Sequence, residues 1–239
     1  MKLLKPEALP YCKKMLPTLE SIYPVSICSW SGGKDSCYAL MQAVKSGYRP
    51  AVLLNVLNEE GKISRSHGIP LPILEAQAAR TGWPLHAISS SWQDYEANFT
   101  AALQQLKKKY NALEVVFGDI DLQAHLDWEE KVCAAAGLEA CVPLWRRNRK
   151  ELVTEMLQSG IRTIIVSCNE TMGSQYIGQE LTLDLVYELE AIGIDPCGEN
   201  GEFHTLVLDC PLFSKPLIIQ VTDRLYHDKY WFAKLELKY

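Results

Sequence analysis

From Val25 onward the chain alternates short apolar runs with amphipathic stretches. Residues 25–30, VSICSW, form an apolar run that predicts a strand, and a helical pattern over 35–47 follows at once. The next run, AVLLNVLN at 51–58, has almost no polar alternation, which suits a parallel strand covered on both faces. A polar stretch over 59–68 leads past Pro70 and Pro72 into a predicted helix over 73–81. Residues 85–88 predict a third strand and 92–110 a long helix, closed by three lysines that suit its negative end. A fourth strand is expected over 114–117, after which Gly118-Asp119-Ile120-Asp121 opens a helix to Ala136. A fifth, at 140–142, runs into Pro143-Leu144-Trp145. Strands and helices alternating at these intervals predict an α/β fold, a doubly wound parallel sheet.

The flanks read differently. Leu9, Cys12, Leu16 and Leu19 recur at helical spacing, so a helix over 7–21 is expected, ended by Pro24. Beyond Trp145 the pattern predicts a helix over 148–159, a strand over 162–168 and a loop through Gly173 and Gly178. A helix over 179–192 follows, stopped by Gly193, and then three β-patterned runs at 204–209, 216–222 and 230–237 that look antiparallel. The expected organisation is an N-terminal extension (1–24), an α/β domain (25–145) and a smaller α+β domain (146–239).

Ligands of such sheets bind beyond the carboxyl ends of the strands. That rule brings Ser31-Gly32-Gly33-Lys34-Asp35-Ser36, the 118–121 turn and the 58–70 loop to one crevice. The first of these is strand, glycine turn and helix start, an anion site: the glycines allow the tight turn and the first helical N–H groups point at the ligand. Lys34 adds a positive charge, and Ser31 and Ser36 add hydroxyls. Asp35 fits either Mg²⁺ bridging to a phosphate or a helix cap. The adjacent glycines exclude a Walker A loop, which needs four residues between them.

Bulk properties narrow the class. With 239 residues, 48% hydrophobic and 22% charged, the chain can bury a full core in one large or two small domains. A net charge of −5 argues against a broad nucleic-acid or anionic-membrane surface. No run approaches the ~18 apolar residues of a membrane span, and Pro6 and Pro10 break any signal core, so a cytoplasmic protein is expected. The 8 cysteines include no CxxC pair and no zinc-spaced cluster; most sit in apolar runs as small hydrophobes.

SGGKDS resembles the PP-loop of the ATP pyrophosphatases, which split ATP into AMP and pyrophosphate. Further matches are His67-Gly68-Ile69-Pro70, GDID (118–121), Pro143-Leu144-Trp145, CGENGEFHT (197–205) and LDCPLF (208–213). With them, the chain from about Val25 to Ile219 resembles the diphthine–ammonia ligase family. The resemblance implies a PP-loop ATP-binding domain of the Rossmann-like, adenine nucleotide alpha hydrolase type, followed by a substrate domain. It implies an enzyme that adenylates a carboxylate with Mg²⁺ and ATP, releases AMP and pyrophosphate, and amidates the acid with ammonium. Eukaryotic and archaeal members act on diphthine, a modified histidine of elongation factor 2.

Carried onto this sequence, the resemblance places Ser31, Gly32, Gly33, Lys34, Asp35, Ser36, His67, Gly118 and Asp119 at the nucleotide, with Asp35 and Asp119 toward Mg²⁺. It places Asp121, Trp145, Arg146, Glu199, Gly201, Glu202, His204 and Thr205 at the substrate. Lys34, Asp35, Glu199 and Glu202 are the catalytic candidates, the glutamates binding or deprotonating ammonium. Where the family usually has a second glycine this chain has Asn200, the non-glycine residue that best tolerates a left-handed backbone. That departure looks like a bacterial branch and leaves the acid open between diphthine, a cobalamin precursor and another.

Bland readings stand beside these. Asp119 and Asp121 equally fit a helix start, Glu199 and Glu202 a solvated loop, and His204 a core position. His67 is as readily structural, and His86, His125 and His227 lack context. Arg146, Arg147, Arg149 and Lys150 crowd a helix start, oppose its dipole and need compensation from a ligand, water, Glu151 or Glu155. The rival functions are a PP-loop tRNA thiolation enzyme, disfavoured by the absence of CxxC and of a basic surface, and a non-catalytic ATP or AMP sensor. No glutaminase cysteine constellation is apparent, so free ammonium is the expected nitrogen source. The partners expected are ATP, ammonium and a carboxylate-bearing small molecule or modified protein, without membrane or nucleic acid; a homodimer is compatible with them.

Overall fold

A computed structural model describes residues 23–238. The helix expected over 7–21 lies outside the described residues. Nine elements run in alternation: β1 (Val25–Ser29), α1 (Lys34–Lys45), β2 (Arg49–Leu57), α2 (Leu71–Thr81), β3 (Leu85–Ser89), α3 (Tyr95–Tyr110), β4 (Glu114–Val116), α4 (Gln123–Ala136) and β5 (Glu139–Cys141). The strands form one sheet in the order β3-β2-β1-β4-β5, and every pairing is parallel. The order reverses between β1 and β4, which opens a crevice at their carboxyl ends. Then come α5 (Arg149–Gln158), β6 (Arg162–Asn169), α6 (Leu183–Ala191), β7 (Phe203–Asp209), β8 (Ile218–His227) and β9 (Tyr230–Lys238). Their strands make a second sheet, β7-β6-β9-β8, paired antiparallel throughout. The α/β expectation with a smaller antiparallel unit is borne out.

Strand periodicity explains the packing. Ile27, Leu54, Val56 and Val115 face Phe99, Leu103 and Leu106 of α3 on one side of the parallel sheet. Cys28, Leu53, Leu57 and Val116 face α1 and α2 on the other, in a core that continues without a break through Leu152 and Ile165 to Phe203 and Leu206. That shared core seats β7 against the start of α1. Cys28, Cys37, Cys133, Cys168, Cys197 and Cys210 are free and buried, as small hydrophobes would be, whereas Cys141 is disulfide-bonded. No helix among the described residues is long and apolar enough to cross a membrane.

Besides α3, which starts at Tyr95 rather than Trp92, two helices start later than the pattern predicts. The GDID turn does not open α4, which begins at Gln123 with Leu122 before it and no side-chain cap. The turn stays outside the helix instead, where the Arg146 N–H donates to the Ile120 carbonyl (2.6 Å). Likewise α6 begins at Leu183, capped by Thr182, rather than at Gln179. Residues 179–181 are drawn onto β6 by Ile165 N–H to Gln179 O (3.0 Å) and Leu181 N–H to Thr163 O (2.8 Å). In each case a tertiary hydrogen bond outcompetes the local helical one.

Glu114 on β4 gives the fold a pH dependence. It is 3% exposed and its Oε2 has no partner. Burial first, with Glu139 adding to it and Tyr48 opposing, pushes its carboxyl up to about 7 from 4.5. The folded chain therefore keeps a proton that the unfolded chain releases, and stability falls as pH rises from about 4.5 to about 7. Glu114→Gln is expected to remove that fall, melting several degrees above the parent at pH 8 and level with it at pH 4.5. Equal melting-point differences at both pH values would refute the assignment.

Candidate active site

Glycine geometry shapes the loop between β1 and α1. Gly32 has φ +86°, and a Cβ there would meet Gln77 Oε1 at 2.8 Å. Gln77, wholly buried, locks the turn: its Nε2 donates to Gly32 O (3.0 Å) and Val207 O (2.8 Å), and its Oε1 accepts from Trp30 Nε1 (3.0 Å). Ser31 Oγ lies 3.0 Å from Ser36 Oγ and accepts from the Gly33 N–H (3.2 Å). Gly118 lies against the start of α1, where a Cβ would come within 2.7 Å of Ser36 N and 2.8 Å of Asp35 C. Only a glycine lets the 118–121 turn approach the first helical turn this closely.

Lys34 joins the two sheets. Its N–H donates to Thr205 Oγ1 (3.1 Å), and its Nζ donates to Asp35 Oδ2 (2.9 Å) and the Cys197 carbonyl (2.5 Å). Burial opposes its charge, but Asp35, Cys197 and Glu199 outweigh burial and hold the ammonium above its ordinary range. Asp35 is raised too: burial first, helped by Asp119, raises its carboxyl against the pull of Lys34. Its second oxygen, Oδ1, is buried without a partner. His67 Nδ1 donates to Thr205 O (2.8 Å), its ring stands 4.6 Å from that of His204, and its Cε1 lies 2.5 Å from where a Gly33 Cβ would sit. Burial lowers both histidines, His67 to about 4, so both are neutral at pH 7.

The 197–205 loop is built around two carboxylates. Glu202 accepts from Asp195 N–H (3.3 Å), Asn200 N–H (3.0 Å) and Asn200 Nδ2 (3.0 Å). Asp195, which sequence reasoning missed, accepts from Cys197 N–H (2.7 Å) and pairs with Arg149. Asn200 is not among the residues with positive φ; Gly198 (+73°) and Gly201 (+83°) make the left-handed turns. Asn200 contributes its amide instead, to Glu202 and to Arg149 Nη1 (3.2 Å). Tyr230 Oη donates to Gly201 O (2.8 Å). Glu199 has no such duty in the loop. Burial first, then Asp35, pushes its carboxyl up to about 8, with Asp119 adding and Lys34 and Arg149 opposing.

Asp119 and Asp121 do not cap α4. Asp121 takes two of the three Arg149 donor nitrogens, Nε (2.8 Å) and Nη2 (2.6 Å). Asp119 accepts from His125 Nδ1 (2.7 Å), a histidine the sequence left without context. Burial opposes the Asp119 charge, but its partners His125 and Glu129 outweigh burial and hold the carboxyl below its usual range. Glu129, buried beside it and also missed, is pushed up to about 12 by burial and by Asp119, so it carries a proton. Of the four crowded cations, Arg147 pairs with Glu155 (2.6 Å), Lys150 with Glu190 (2.7 Å) and Arg149 with Asp121 and Asp195. Arg146 is exposed, holds φ +58° and lies 5.9 Å over the buried ring of Trp145.

No group of three His, Cys, Asp or Glu side chains converges on a metal site among the described residues. A Mg²⁺ ion held by one or two carboxylates and a phosphate needs no such group, and the unpartnered Asp35 Oδ1 is an oxygen suited to it. Beside the loop, a pocket of about 70 Å³ opens beyond the ends of β1 and β2, lined among others by Ser31, His67 and Phe99.

Comparison with known proteins bears on this arrangement. The family described as the diphthamide synthase N-terminal domain matches residues 25–140, and that described as its C-terminal domain matches residues 148–238. The diphthine–ammonia ligase of Mus musculus is 27% identical over 229 residues, 85% of each chain. That of Danio rerio is 29% identical over 231 residues, 85% of this chain and 89% of its own. The solved structure of a predicted subunit of tRNA methyltransferase from Methanocaldococcus jannaschii aligns over 80% of this chain and 98% of its own. Its TM-score is 0.42 at 16% identity, too loose to bear on function.

Proposed function

The chain belongs to the diphthamide synthase family, and from that premise we propose that it is an ATP-dependent carboxylate–ammonia ligase. Its carboxylate substrate attacks the α-phosphorus of ATP, pyrophosphate leaves, and ammonia displaces AMP from the acyl-adenylate to form an amide. The observation that carries this reading is the junction at Lys34, which bonds to Cys197 and Thr205 of the 197–205 loop from inside the glycine loop. A phosphate-binding turn and an acidic loop thereby share one crevice.

In this reading the α1 start, Ser31, Ser36 and Lys34 cradle the pyrophosphate. Asp35, with Asp119 beside it, would hold Mg²⁺, which would supply positive charge against the phosphates. Glu199 takes the proton from ammonium. Its raised carboxyl suits that task, because a base works best with a pKa near the working pH. Glu202 shapes the loop rather than the chemistry, since three N–H donors already occupy it. Arg146, held in a left-handed backbone with no ion-pair partner among the described residues, faces the anionic acid. His67, His204 and Thr205 line the junction, and free ammonium is the nitrogen source.

The thiolation alternative has little chemical support. Burial pushes the Cys168 thiol up to about 11 and raises Cys197 as well, so neither is a ready nucleophile. The test is a product assay with Mg·ATP, ammonium and a small-metabolite extract, using Asp35→Ala as the blank. AMP with pyrophosphate, absent from the blank, is the expected result. ADP with phosphate would overturn the adenylating mechanism, and tight ATP binding without turnover would favour a nucleotide sensor.

A further inference from the structure

The pocket beyond β1 and β2 holds a cation whose partners are incomplete. Arg65 lines it with a side chain only 10% exposed. Its Nη1 donates to the Ser90 carbonyl (2.5 Å), but the carboxylate within its reach, Glu59, stands 4.0 Å from Nη2. Its Nε is buried with no partner. A desolvated charged donor left unpaired is costlier than a neutral one, so the site gains from a ligand that supplies an acceptor. Trp92 is 70% exposed, and its ring centroid lies 4.4 Å from Arg65 Cζ. A large ring that exposed gains little from burial; stacked on the guanidinium, it holds the fork in one plane.

We propose that Arg65 is the nucleoside-binding cation of the ATP site, donating through Nε to an acceptor on the purine nucleoside, with Trp92 as its positioning residue. This rests on the reading of the protein as ATP-dependent. Ser31, at one end of the pocket, belongs to the loop that takes the phosphates. Leu54, Val56, Tyr95 and Phe99 give the pocket an apolar and aromatic part beside the polar Asn55, Ser64 and Ser66, and Tyr95 touches Trp92 (5.7 Å between centroids). An apolar and aromatic part with a few polar groups beside it suits a planar base, and arginine donors suit the acceptors on a base edge.

Titration calorimetry with ATP and with inorganic tripolyphosphate, both with Mg²⁺, separates the possibilities. Arg65→Met is expected to weaken ATP binding about tenfold and leave tripolyphosphate unchanged. Trp92→Ala is expected to weaken ATP about threefold, and Trp92→Phe to restore it, because a second ring still backs the guanidinium. Where Arg65→Met does not fold, Arg65→Lys, which keeps the charge and lacks Nε, takes its place with the same expectation. Unchanged ATP affinity in a folded Arg65 variant would overturn this proposal alone. So would an equal loss for ATP and tripolyphosphate, which would give Arg65 to the phosphates. A parent protein that binds no ATP would overturn the ligase reading together with it.

Discussion

Asp35→Asn is expected to lower AMP release from Mg·ATP about a hundred- to a thousandfold while leaving the melting temperature nearly unchanged. The isostere keeps an acceptor for Lys34 Nζ, whose second partner, the Cys197 carbonyl, is untouched. What it removes is a negative oxygen, Oδ1, that no group among the described residues satisfies. If that oxygen serves Mg²⁺ at the phosphates, the loss falls on the nucleotide step and raises the Mg²⁺ concentration needed for half-maximal rate. Activity within tenfold of the parent at saturating Mg²⁺ would remove Asp35 from the reaction.

Glu199→Gln is expected to separate the two half-reactions. Exchange of pyrophosphate into ATP, supported by whichever acid fraction sustains the parent, should persist within severalfold. Amide formation should drop about a hundred- to ten-thousandfold, the usual contribution of a positioned general base. Glu202→Gln is the control, because its carboxylate accepts from Asp195 and twice from Asn200. Replacing one oxygen with an amide sets donor against donor, so both half-reactions and the melting temperature should fall together. If Glu199→Gln and Glu202→Gln behave alike, Glu199 supports the loop and is not the base.

Much of this site was legible in the chain because short-range rules govern it. An apolar run, two glycines and a helical pattern specify a strand, a turn and a helix N-terminus whatever surrounds them, and Lys34 and Asp35 follow by position. The partners of those residues were not legible. Gln77 looks like an ordinary helical glutamine, yet it bonds simultaneously to Trp30, Gly32 and Val207. Asp195 carries a faint signal, an Asp-Pro turn whose carboxylate caps the N–H of Cys197 two residues on. Asn200 misled for a physical reason: tolerance of a left-handed backbone is a permission, and here the amide is used for its hydrogen bonds.

The sequence by itself determined which elements exist and where the anion turn lies, since hydrophobic period, glycine and helix-start chemistry act within a few residues. Tertiary structure alone decided how charge is distributed across the crevice. Asp119 and Asp121 resemble a helix start, but side chains claim them instead: His125 and Glu129 of the helix that follows hold Asp119, and the distant Arg149 holds Asp121. Glu199 and Glu202 stand three positions apart with the same chemistry, yet one is bonded into its loop and the other is desolvated against Asp35. Burial and neighbouring charge set the protonation of a carboxyl, and both depend on residues far away in the chain.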